Sequence, residues 1–255
     1  MSNKRKVIVT GFEPFGEHAV NSSWVAVQSL GEIIIIKKQH NTGHRVPLLW
    51  THHEHCEVGC WIWLRVIRTN ILMLFEELEQ LGLGEAVELY VREVPVDYQA
   101  VERLLPSLWK ELQPQLVVHV GVSGLATTVT LEQCGHNRGY RRLDNCSFCP
   151  ASQCCMENGS DCIDSVLDME LVCRRVNDSD IGVTVSVSKD AGRYLCDYTY
   201  YTSLYLGRGH SAFVHVPPLG KPYSSRDLGR ALQAVVQEML SLLELDCTEE
   251  ERKTQ

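Results

Sequence analysis

Leu116–Val122, LVVHVGV, is a run of apolar and β-branched residues interrupted by one histidine and one glycine. A short run that is apolar on both alternating faces reads as a strand buried on both sides, the setting found in parallel sheets covered by helices. Ser211–Val216, SAFVHV, repeats the pattern, with a histidine again near its end. Working outward, strands are expected at Val7–Thr10, Val87–Val94, Leu116–Gly121, Gly182–Ser188 and Ala212–Val216. Helical spacing falls between them. Tyr98–Leu112 places Val101, Leu104, Leu105, Leu108 and Leu112 on one face, although Pro106 should bend this helix or shift its start. Ser165–Val176 is a shorter helix. The last begins at Ser225, a capping residue, and lines up Leu228, Leu232, Val235, Met239 and Leu242. Alternating strands and helices predict an α/β fold with a mainly parallel, twisted central sheet. The tail 248–255, TEEERKTQ, is expected to be frayed.

The bulk numbers restrict the function classes. The 255 residues are 44% hydrophobic and 22% charged, ordinary for a globular protein. A net charge of -8 argues against nucleic acid or an anionic membrane as the main partner, since both call for a basic surface. The N-terminus carries no long apolar stretch of the secretory kind. Trp61–Phe75 is strongly apolar but short for a membrane span and contains Arg65 and Arg68. With eleven cysteines, an odd number, the expectation is reduced thiols in the cytosol.

One of those cysteines sits where chemistry is expected. In DAGRYLCDYTYY, Asp190–Tyr201, a β-rich run leads into Ala191-Gly192 and a helix is expected to start near Leu195. Cys196 then lies at a strand-to-helix turn, near the positive end of a helix dipole, which favours a thiolate. The plainer reading is a small buried hydrophobe. A cysteine nucleophile needs a base or cationic partner. His215 in SAFVHV and His119 in LVVHVGV have nearly the same context, and spacing does not choose between them. Glu132, after a Gly/Ser/Thr-rich loop, is one of several acids able to orient an imidazole. A rival is zinc: Cys146 and Cys149 form a C-x2-C pair, Cys154 and Cys155 follow, and His136 lies upstream, though the second pair is adjacent and fits the ligand spacing only in part. Gly121-Val122-Ser123-Gly124 lacks the second glycine of a serine-hydrolase elbow.

Several blocks, taken in order, resemble one family. TGFEPFG (Thr10–Gly16), VNSSW (Val20–Trp24), VVHVGVSGLATTVTLEQCGHN (Val117–Asn137), DAGRYLCDYTYYTSLY (Asp190–Tyr205) and AFVHVPPLGKPY (Ala212–Tyr223) are similar to the pyroglutamyl peptidase I family, especially its vertebrate members. The resemblance implies a single-domain α/β/α sandwich and a cysteine peptidase that removes N-terminal pyroglutamyl residues from peptides. It implies a triad of Glu132, Cys196 and His215, with Arg142 adding positive charge, and it makes His119 a core residue. Phe12 and Phe15 would sandwich the lactam ring, Asn21 would position the adjoining loop, and Tyr194 and Leu195 would supply further wall. It implies no cofactor, no metal and no obligatory protein partner.

Ser29–Glu76 departs from that pattern. It holds five of the ten histidines, three of the five tryptophans and the run Ile33–Ile36, without a sustained period. It reads as an insertion into a domain spanning 1–247. Two outcomes are open for it: a poorly ordered extra sequence, or a small subdomain with His52, His53, His55, Cys56 and Cys60 as metal ligands. An insertion of this kind also raises the alternative of a catalytically impaired family member.

Overall fold

The structure, a computed structural model, describes residues 5–15, 20–30, 83 and 87–253. Apart from Ser29 and Leu30, the expected insertion and its candidate metal ligands lie outside the described residues.

Six strands form one sheet: β1 (Arg5–Phe12), β2 (Val87–Val94), β3 (Leu116–Val122), β4 (Val129–Glu132), β7 (Val185–Ser188) and β8 (Ser211–Val216), in the spatial order β2-β1-β3-β8-β4-β7. β2, β1, β3 and β8 are mutually parallel. β4 pairs antiparallel with β8 and parallel with β7, so the last two strands run the opposite way. A separate two-stranded ribbon joins β5 (Cys134–His136) to β6 (Cys162–Asp164). The described helices are α1 over residues 22–30, α2 (Tyr98–Leu112), α3 (Met169–Asp178), α4 (Leu195–Leu206) and α5 (Ser225–Lys253).

Register assigns the faces. Thr10 pairs with His119, His119 with Phe213, Gly121 with His215 and Glu132 with Phe213, so these residues share one face. Ile8, Phe12, Val117 and Phe213 on that face join the buried cluster formed with Tyr98, Val101 and Leu105 of α2 and Leu195, Tyr198 and Tyr200 of α4. The opposite face carries Val7, Val9, Val118, Val120, Ala212, Val214, Val129 and Leu131, all buried. Gly11 points that way, and a Cβ there would lie 2.7 Å from the Trp24 Cα, so glycine is what lets α1 cross the strand closely. Helices α3 and α5 pack on one another, bridged by Arg175 Nη1 and Glu238 Oε2 at 3.3 Å.

The differences from the sequence reading have local causes. The helix α2 starts at Tyr98 as expected and runs through Pro106, which lies on the exposed face, where the carbonyl it leaves unpaired meets solvent. Asp97 caps that helix by accepting from the Ala100 N–H at 2.8 Å. β7 begins at Val185 rather than Gly182, since Gly182 takes a positive φ of 75°. The last helix continues to Lys253 past Cys247, in keeping with the helix propensity of its Glu, Arg and Lys residues.

Candidate active site

Cys196 is the second residue of α4, whose N-cap is Tyr194. The first backbone bond of the helix is Tyr198 N–H to the Tyr194 carbonyl at 3.0 Å, which leaves the Cys196 N–H without an intrahelical acceptor at the positive end of the dipole. β7 runs against β8, so the chain leaves β7 at the end of the sheet away from the β3 and β8 carboxyl ends. The loop 189–194 and the start of α4 then bring the thiol across the sheet face, rather than a turn directly off a strand end. There it lies above Gly121: a Cβ on this glycine would be 3.0 Å from Cys196 Sγ and 2.7 Å from Phe213 Cζ.

His215 is the neighbour of Gly121 across the β3–β8 ladder. Its Nδ1 is 2.8 Å from Glu132 Oε1, both side chains being almost fully buried. Burial alone would push the imidazole down. Hydrogen bonds and charges from Cys196 and Glu132 outweigh it and raise His215 to about 10. A base held between a thiol and a buried carboxylate has the parts of a nucleophile–histidine–acid triad.

His119, one strand away on the same face, meets a different neighbour. Its Nδ1 lies 2.8 Å from Thr10 Oγ1, it is fully buried, and burial pushes it down to about 3. It is a neutral core histidine.

The remaining predicted residues gather around this centre by different routes. The guanidinium of Arg142 sits 4.3 Å over the Tyr194 ring, and the Tyr194 hydroxyl donates to the Leu143 carbonyl at 3.2 Å. Arg142 thus flanks the N-cap of α4. Leu195 is 1% exposed and belongs to the core beneath the site, leaving Tyr194 as the more open of the pair. Phe12 is buried with its ring 6.4 Å from that of Phe213, whose ring in turn is 4.8 Å from His215, and Phe15 packs against the same cluster. Asn21 Nδ2 donates to the Glu13 carbonyl at 2.9 Å, while its Oδ1 accepts from the Ser23 N–H and hydroxyl at 3.0 and 2.7 Å. Asn21 therefore shapes the turn that carries Phe12 and Phe15.

Two groups were missed from sequence. Gly121 had a signal, as the one glycine inside an otherwise continuous β run, which marks close approach by another group. Asp197, beside Cys196, had none. It is fully buried and accepts from the Tyr140 hydroxyl at 2.9 Å and the His136 N–H at 3.1 Å, with Arg193 Nη1 3.4 Å away. Burial pushes its carboxyl up to about 6 against those stabilising contacts. The network anchors the first turn of α4.

The rival zinc grouping does not form among the described residues. Cys146 Sγ donates to Asp97 Oδ2 at 3.2 Å and Cys155 Sγ to the Tyr198 carbonyl at 3.8 Å, so the two pairs serve separate turns. Among the described residues, the metal-ligating side chains that converge are Cys134, His136 and Cys162.

Comparison with known proteins points to one family. A family model described as pyroglutamyl peptidase matches residues 5–56 and 72–231, so it reaches into the 29–76 stretch from both sides and leaves 57–71 unmatched. Pyroglutamyl-peptidase 1 of Rattus norvegicus is 54% identical over 241 residues, covering 94% of this chain and 92% of the rat protein. Pyroglutamyl-peptidase 1 of Homo sapiens is 53% identical over the same shares. The solved structure of the pyrrolidone carboxyl peptidase from Thermococcus litoralis superposes with a TM-score of 0.68 at 20% identity, covering 95% of this chain and 96% of that one, a likeness of fold. The family model spans most of the chain and takes in Cys196, His215 and Glu132: the protein belongs to the pyroglutamyl peptidase family.

Proposed function

We propose that this cysteine peptidase hydrolyses the peptide bond that follows an N-terminal pyroglutamyl residue, through a thioester on Cys196. The observation that carries the reading is the run Cys196–His215–Glu132 on one sheet face, with an imidazole raised to about 10 between thiol and carboxylate. An imidazole so placed takes the thiol proton and stays charged beside the thiolate. Cys196 Sγ attacks the acyl carbon, and the free Cys196 N–H at the helix start donates a hydrogen bond to the developing oxyanion. His215 hands its proton to the departing amine. Water, deprotonated by the same imidazole, then attacks the thioester and releases pyroglutamate. Glu132 holds the ring by its Nδ1–H and offsets its charge.

The lactam is flat and uncharged, so an apolar slot suits it. Phe12 and Phe15 supply that slot, Asn21 fixes the turn that presents them, Tyr194 forms the open wall and Arg142 adds positive charge at the α4 N-terminus. Pyroglutamyl-blocked peptides are the substrates in this reading, with no cofactor, nucleic acid or obligatory partner, and the cytosol is the location. No helix among the described residues is long and apolar enough to cross a membrane. The triad lies outside 29–76, and we take the catalytic domain as 1–247 interrupted by that stretch.

The test is release of a fluorescent amine from a pyroglutamyl amide under reducing conditions. The intact chain is expected to be active and Cys196→Ala inactive. Equal activity in both, or none in intact folded protein, would refute the assignment.

A further inference from the structure

The β5–β6 ribbon carries a cluster of metal-ligating side chains that the peptidase reaction does not use. His136 and Cys162 face each other directly across the ladder, and Cys134 pairs with Asp164. Alternation places Cys134 and His136 on one face of β5 and Cys162 and Asp164 on the same face of β6. One ligand atom from each of Cys134, His136 and Cys162 lies within 4.8 Å of the others. The other face of the ribbon is pressed on α4, where a Cβ at Gly135 would come 2.9 Å from the Tyr201 N. The backbone beneath the cluster is therefore held in place, and the ligands do not depend on a loose loop.

We propose that Cys134, His136 and Cys162 form a zinc-binding site distinct from the catalytic triad. Two thiolates and an imidazole are the donor set that selects Zn²⁺ over hard cations such as Mg²⁺ or Ca²⁺. Tetrahedral coordination sets such ligand atoms about 3.5–3.8 Å apart, so side-chain rotation of about an ångström closes the observed cluster on the ion. Burial grades across the site, from Cys134 inside, through His136, to Cys162 at the surface. The fourth position thus opens outward beside Asp164, as in three-ligand sites that keep a water. The Asp197 carboxylate lies 3.5 Å from His136 Nδ1, a buried nitrogen with no hydrogen-bond partner, and a small rotation of the ring would make it the outer partner of a metal-bound imidazole. On binding, both thiols lose their protons to solvent and no redox step occurs.

The site differs from the C-x2-C grouping weighed as a rival in the sequence because strand pairing, not spacing, brings its members together. Cys134 and Cys162 are separated by the whole Cys-rich loop.

Cobalt is the probe. Co²⁺ titrated into the full chain carrying Cys196→Ala, which removes the catalytic thiol, is expected to give a near-ultraviolet thiolate-to-cobalt band that saturates at one equivalent. Cys134→Ser, Cys162→Ser and His136→Gln should each weaken Zn²⁺ binding about a hundredfold or more, measured against a chromophoric chelator. Cys56→Ser/Cys60→Ser should leave it unchanged. Cys162→Ser, at an exposed position, should keep its far-ultraviolet circular dichroism and, with Cys196 intact, its peptidase activity. No thiolate band, a band that survives Cys162→Ser and His136→Gln, or one lost with Cys56 and Cys60 instead, would overturn the site.

Discussion

β3 and β8 are neighbours in one sheet, each carries a histidine on the same face, and the two histidines have opposite chemistry. His119 rests on the Thr10 hydroxyl with nothing to offset burial and falls to about 3. His215 is nearly as buried but has Glu132 on one side and Cys196 on the other, and rises to about 10. The strand supplies position and desolvation in both cases. What separates the core histidine from the proposed base is the partner brought in from elsewhere: β4 delivers the carboxylate antiparallel to β8, and the start of α4 delivers the thiol. A neutral hydroxyl cannot reverse the desolvation penalty on a charged imidazole, whereas a carboxylate at hydrogen-bond distance can.

The comparison can be broken in stages. His215→Ala removes the base and should lower kcat by about 10⁴ or more, assayed on a pyroglutamyl amide, as loss of the base does in other triads. Glu132→Gln leaves the ring in place but removes the charge that holds it up. It should cost about 10²–10⁴ in kcat and move the alkaline limb of the pH–rate profile down, from near 10 in the intact chain toward neutrality. Gly121→Ala tests the close approach itself. The added methyl meets Cys196 Sγ and Phe213 and should lower kcat about 10–100-fold, with KM much less affected.

His119→Leu should leave kcat within about threefold while costing about 1–3 kcal/mol of stability, because the buried Thr10 hydroxyl loses its partner. Its pH signature is the reverse of that of His215. The depressed pKa of His119 means stability that is present above the ordinary imidazole value of 6.5 and is lost as pH falls toward 3. The raised pKa of His215 means stability present below 6.5 and lost as pH rises through about 10. Thermal melts of His119→Leu should therefore flatten on the acid side, and those of His215→Ala on the alkaline side.

Much of this was legible in the sequence, and the gaps have physical reasons. LVVHVGV and SAFVHV read as strands because burial on both faces leaves a continuous apolar run. β4, β5 and β6 did not, since strands of three or four residues with polar members have no measurable period. The reversed direction of β7, a strand the sequence did show, was hidden with β4, because β7 joins the sheet through that strand, and with it the path by which Cys196 reaches the sheet face. His215 and His119 could not be told apart by their own neighbours, since the deciding contacts are 83 and 109 residues away along the chain. Resemblance chose between them where spacing did not. The convergence of Cys134, His136 and Cys162 was equally hidden, because it depends on a ladder whose strands were not foreseen.

In the proposed mechanism Cys196, served by His215, becomes acylated by the substrate. Acid-quenching the chain during turnover of a pyroglutamyl amide, then mapping its peptides by mass spectrometry, tests this directly. The account predicts one pyroglutamyl group in thioester linkage on the peptide containing Cys196, absent from His215→Ala under the same conditions. Turnover with that peptide unmodified and the acyl group carried on another residue would contradict it.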